Sequence, residues 1–245
     1  MNAIRNHICT QPASILRSTL ALAVLALLAV APPALAAGRN PNPGIPPVHS
    51  SAFGKTLAEW SAVWWKVGIE TPVDGSPFVV GGIFPISASV SGLVAAIGSG
   101  EFEFTLPAGK ALFVAGITFE CSSLEPPDTG FHGDTEAEQA ACAKFWTDHV
   151  QAISIEVDGK LVQDVASYRV VSPQFSFTAP DPNFLGVPGG GAGTAVADGY
   201  NVLLAPMSKG EHTILIRGHL HFSTAEGDPF DAELDVDNLF HITVE

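Results

Sequence analysis

The chain is 245 residues long, 47% hydrophobic and 9% aromatic, with 11 Lys and Arg against 25 Asp and Glu. A formal net charge of −14 argues against nucleic acid and anionic membranes as partners, since both repel an acidic surface. The apolar and aromatic content is too high for a disordered chain, and the length suits one full core and about one domain.

Residues 1–36 read as a secretory signal. Arg5 and Arg17 supply a positive n-region, Leu20 to Val30 an apolar run, and Ala34-Leu35-Ala36 a cleavage site. The run is short for a spanning helix and ends in Pro32-Pro33, so no integral membrane span is expected after cleavage. The expected location is secreted or periplasmic. Residues 37–52 are Pro-rich and read as an extended tether, and residues 53–245 as a single domain.

Thr56 to Val67 is the strongest helix signal. Thr56 and Glu59 form a T-x-x-E capping box, and Pro72 bounds the far end. Leu57, Trp60, Trp64 and Val67 recur at helical spacing and form one apolar stripe. Trp65 sits on the flank of that stripe and is the candidate platform for a sugar ring or a partner, the alternative being a helix stapled to a sheet by its tryptophans.

Phe78 to Phe84 and Leu112 to Ile117 read as buried strands, and Glu101 to Leu106 alternates as a half-buried one. With Cys9 inside the signal, Cys121 and Cys142 remain. An exported pair 21 positions apart reads as one disulfide. Asp134 to Gln151 reads as a second helix, with Thr135 and Glu138 as its capping box. Asp158-Gly159 is a two-residue hairpin turn. Pro180 to Gly199, rich in glycine, reads as a long loop. Tyr200 to Ala205, Glu211 to Phe222 and Phe230 to Val244 complete the strands. Many short strands with two packed helices indicate a mainly β protein, a β-sandwich or jelly-roll-like domain.

The last hairpin carries the richest chemistry. Arg217, His219 and His221 share one strand face, and Asp231, Glu233, Asp235 and Asp237 share a face of the next. If residues 223–229 form the turn, His221 lies near Asp231, His219 near Glu233 and Arg217 near Asp235. His219, His221, Asp231 and Glu233 are therefore candidates for a divalent metal or for acid–base work, or else form a solvated face of ion pairs. A second polar group lies in the disulfide loop, where Glu120 and Glu125 join the run His132 to Glu136. Such a pinned loop is a place for function, although acids near a helix start also answer the helix dipole.

Gly54-Lys55-Thr56, Glu59-Trp60-Ser61 with Trp64-Trp65, Leu106 to Phe113, Glu120-Cys121-Ser122, Tyr168-Arg169-Val170, Ser172-Pro173 with Phe175-Ser176-Phe177, and Pro206 to Thr213 together resemble an uncharacterised family of exported bacterial proteins. The resemblance spans most of the chain after the signal. It implies an exported globular domain and carries over no activity and no catalytic residues. The function expected is binding of a ligand or partner, with a small molecule or a glycan as occupant. The alternative is a secreted hydrolase or lyase using a metal or acid–base centre at His219 and His221.

Overall fold

The computed structural model describes residues 40–95 and 99–245. The expected signal, residues 1–36, and the first residues of the tether lie outside the described residues. In chain order the elements are β1 (Ser51–Ala52), β2 (Lys55–Thr56), α1 (Leu57–Glu70), α2 (Pro77–Val80), β3 (Gly82–Pro85), β4 (Val90–Val94), β5 (Gly100–Leu106) and β6 (Ala111–Ser122). They continue with α3 (Glu136–Asp148), β7 (Val150–Val157), β8 (Lys160–Leu161), β9 (Arg169–Val171), β10 (Phe175–Ala179), β11 (Gly191–Leu204), β12 (Gly210–Phe222) and β13 (Ala232–Val244).

The domain is mainly β, as the strand pattern predicts. One mixed sheet runs β10-β11-β6-β4-β3, with β9 also paired to β11, and a second runs β5-β13-β12-β7-β8. The pairs β4–β6 and β5–β13 are parallel and the others antiparallel. A bulge at Gly116, opposite Tyr200 and Asn201, shifts the register of β6 on β11. Beyond it the two faces of β6 separate cleanly. Thr118 meets α1, because its Oγ1 accepts from Trp65 Nε1 at 3.2 Å. Ile117 points the other way, into the second sheet, where a Cβ on Gly218 would come within 2.2 Å of its Cδ1. The core therefore has α1 on one side of the first sheet and the second sheet on the other.

Both capping boxes form. Glu59 N–H donates to Thr56 Oγ1 at 3.2 Å and Thr56 N–H to Glu59 Oε2 at 2.7 Å. Thr135 and Glu138 do the same for α3. Trp60, Trp64 and Trp65 are all buried. Trp64 packs on Phe78 at 4.6 Å between centroids, and a Cβ at residue 92 would fall 2.5 Å from its ring, so only glycine admits it. The ion pair Lys66–Glu70 serves the sheet edge. Lys66 Nζ donates to Ser176 O at 2.5 Å, and Thr178 N–H donates to Glu70 Oε1 at 3.0 Å. Two side chains thus occupy the outward backbone groups of β10, which would otherwise invite another strand.

The Cys121–Cys142 disulfide ties β6 to α3, with Cα atoms 6.0 Å apart. A buried ion pair holds the same helix. Arg169 grips Asp198 through Nε at 2.9 Å and Nη2 at 2.6 Å, and reaches Asp148 of α3 through Nη1 at 2.7 Å.

Three sequence readings need correction. Phe78 to Val80 belongs to a helical turn, because Ser76 caps Phe78 N–H and Pro77 occupies the first helical position. Residues 191–199 are strand rather than loop. Their small side chains let β11 lie close on β6, where a Cβ at Gly199 would sit 2.3 Å from Thr118 Cβ. Residues 40–52 are not a free tether. Asn42 is buried, donates to Gln163 O at 2.9 Å and accepts from Gln163 N–H at 2.7 Å. Ala205 N–H bonds Gly44 O at 2.8 Å, and Ile45 joins the core.

Candidate functional site

The histidine face assembles in a register two residues from the one expected. Thr224 donates through its N–H and Oγ1 to Asp231, and Asp228 accepts from Ser223 N–H, which lengthens the connection to residues 223–231. His221 therefore lies opposite Glu233, His219 opposite Asp235 and Arg217 opposite Asp237. A shift by two preserves the strand's period, so every side chain stays on its expected face. Asp231 leaves the cluster and Asp235 enters it.

His219 Nδ1 meets Asp235 Oδ1 at 2.9 Å and its Nε2 meets Glu233 Oε2 at 2.9 Å. His221 Nδ1 meets the other Glu233 oxygen at 2.5 Å. The Asp235 hydrogen bond, then the charge of both carboxylates, raises the His219 pKa above the ordinary imidazole value. With both nitrogens facing carboxylates, the doubly protonated ring is favoured, and in that form His219 offers no lone pair to a metal. Side-chain exposures of 39% for His219 and 58% for Glu233 place the cluster on an open face rather than in a cleft. Among the described residues no group of three or more His, Cys, Asp or Glu side chains could hold a metal ion. The arrangement is a ladder of exposed ion pairs. Its stabilisation is present below the unfolded histidine value and is lost as pH rises through the raised folded value. His219→Ala is accordingly expected to lower the denaturation midpoint at about pH 5.5 and to leave it unchanged at about pH 9. Urea melts at the two pH values check this.

Trp65 is only 8% exposed, with its ring edge-on to Trp64 at 5.1 Å and its N–H spent on Thr118. A platform needs a free ring face, so the expectation of a ligand platform there is corrected. The helix stripe is wider than its spacing implied, because α2 and Phe78 close over the flank.

A cavity lies elsewhere among the described residues. About 810 Å³ opens between residues 41–45, the β7–β8 hairpin and the β11–β12 connection. Pro43, Ile45, Leu161, Leu204 and Met207 supply apolar wall, and Lys160 stands at the hairpin tip. Asp158 and Gly159, both at positive φ, form the tight turn that their sequence predicts. Asp158 accepts from Thr213 N–H at 3.0 Å and from His212 Nδ1 at 2.9 Å. His212 Nε2 donates to Ser208 O at 2.9 Å, with Ser208 Oγ further off at 3.4 Å. Aspartate and histidine of the cavity lining thus meet a serine of the β11–β12 connection. Both imidazole nitrogens face acceptors, which favours the doubly protonated ring, and Asp158 raises the His212 pKa. The ring is a staple between two turns, not a base poised to take the serine proton. Sequence reasoning missed this cavity because its wall comes from the prolines read as a tether.

The disulfide loop does bring Glu120 and Glu125 together. Both are buried, and their carboxyls lie near enough for each to feel the other. Ser122 Oγ donates to Glu125 Oε2 at 3.0 Å, and His132 Nδ1–H donates to the Glu125 carbonyl at 2.5 Å. Desolvation, then the neighbouring Glu125 charge, pushes Glu120 well above the usual carboxylate range, and burial pushes Glu125 up to about 7. Of the other polar residues read in this loop, His132 faces Asp134 at 3.2 Å, while Asp134 and Glu136 are exposed.

No described helix is long and apolar enough to cross a membrane. No family model matches the chain, and no curated protein matches it. Among solved structures, the solution structure of amebosin is similar at 13% identity, covering 65% of this chain and 100% of that one, with a TM-score of 0.21. A likeness that loose carries no argument about fold or function.

Proposed function

We propose that this chain is an exported binding domain whose ligand seat is the cavity closed by residues 41–45. The observation that carries the reading is the cavity itself. Its volume of about 810 Å³ falls within the range of pockets that enclose a small molecule. Pro43, Ile45, Leu161, Leu204 and Met207 give it apolar wall, and Asp158 and His212 in its lining are already bonded to each other. A small, mostly apolar molecule fits such a lining better than a glycan, which needs many free hydrogen-bonding groups. The Cys121–Cys142 bond supports an oxidising compartment, in keeping with secretion or a periplasmic location.

The test is titration with N-phenyl-1-naphthylamine, a neutral apolar fluorophore, on the wild type and on Leu161→Arg and Met207→Arg. Leu161 is exposed and Met207 half-buried, so both variants are expected to fold. The expected result is saturable binding with unit stoichiometry, weakened about tenfold or more in each variant, which corresponds to roughly 1.4 kcal/mol. Absence of saturation, or equal binding by all three proteins, sinks the reading.

A further inference from the structure

We propose that Glu120 and Glu125 form a proton-operated latch, which holds the loop of residues 123–134 against the first sheet at acid pH and releases it above neutrality. The geometry points to this because two neighbouring carboxyls, on residues 5% and 9% exposed, are sealed between β6 and the loop they help to hold. Glu120 is 5% exposed, and its Oε2 has no donor if the group is ionised. A shared proton resolves that deficit, since a protonated Glu120 can donate to Glu125. Without it, two like charges lie close together in a low-dielectric site, an arrangement that carboxyl pairs avoid by keeping one proton.

The groups around the pair leave it little help. His132, from the loop itself, acts on Glu125, and its Nε2 faces Asp134 at 3.2 Å. From β6 the neighbour is the Ser122 hydroxyl. The loop's backbone ties to the sheet are Ser122 N–H to Phe131 O at 2.9 Å, Ser123 N–H to Thr194 O at 2.9 Å and Gly133 N–H to Ser122 O at 3.1 Å. Its tip also carries Phe131, stacked on Trp146 at 4.5 Å, and Gly130, which accepts from the Trp146 indole. Opening the latch would uncover that aromatic pair while Cys121–Cys142 keeps α3 attached.

The sign follows from linkage. An acid whose folded value lies above its unfolded value binds more protons in the fold, so the closed state weakens as pH climbs through that interval. For Glu125 the interval runs from 4.5 to about 7.

Hydrogen exchange by mass spectrometry, corrected for intrinsic rates, reads the loop directly. Peptides covering residues 122–134 are compared with peptides from β12 at about pH 5.5 and about pH 8.5. The expected result is a loss of loop protection of about tenfold or more at the higher pH, absent from β12 and abolished in Glu125→Gln. Glu120→Gln provides the second variant should the first fail to fold, and His132→Asn should retain the pH dependence. A wild-type loop equally protected at both values overturns the proposal. So does a Glu125→Gln protein that loses protection as the wild type does, or restoration of wild-type protection at the higher pH by millimolar Ca²⁺, which would make the pair a cation site.

Discussion

Replacing Arg169 by Met is expected to cost about 3–5 kcal/mol, the range for stranding one partner of a buried ion pair. Asp198 is fully buried and spends both carboxylate oxygens on that guanidinium. The fork of Arg meets the carboxylate with two parallel bonds, and a third bond to Asp148 pins α3 to β9 and β11. For a domain of this size the loss corresponds to a fall of roughly 6–20 °C in melting temperature. Arg169→Met combined with Asp198→Leu removes the stranded charge and is expected to recover most of that loss, because apolar replacement of a whole buried pair is near neutral. A single variant that melts within about 2 °C of the wild type would mean that Asp198 finds water once the arginine is gone.

Trp65→Ala is expected to cost a similar amount, about 3–5 kcal/mol, as deletion of a buried aromatic side chain does. The ring fills a space bounded by Trp64 and Phe78, each 5.1 Å away between centroids. Its loss leaves a cavity and also frees Thr118 Oγ1 from its indole donor. Trp65→Phe keeps most of the volume and should cost about 1–2 kcal/mol, the hydrogen bond plus some packing. An exposed platform would instead tolerate Ala within about 0.5 kcal/mol. Denaturant unfolding of the two variants separates the two situations.

Local rules carried much of the fold. Thr56 with Glu59, and Thr135 with Glu138, mark helix starts because each box satisfies its own donors within four residues. Asp158-Gly159 marks a hairpin because few residues accept positive φ. The faces of β12 and β13 were legible from alternation, although their register was not. The turn length depended on Asp228 and Asp231 capturing Ser223 and Thr224, contacts that composition does not reveal. The glycines of β11 misled for a related reason. By composition they signal a loop, yet Gly199 is there to let two strands touch. The strap at residues 41–45 misled similarly, since buried Asn42 gives a Pro-rich segment partners 121 positions away.

By itself, then, the sequence determined the mainly β class, both capped helices, the Cys121–Cys142 pairing and the acidic face opposite the histidines. Each depends on neighbours in the chain, on period, or on there being one partner to choose. Only the tertiary structure decided that Trp65 is buried, that the strap walls a cavity, and that Glu120 and Glu125 share one dry site. Burial and charge proximity are set by segments that meet from far apart along the chain. Local pattern therefore says which residues can do chemistry, and packing alone says which of them are placed to do it.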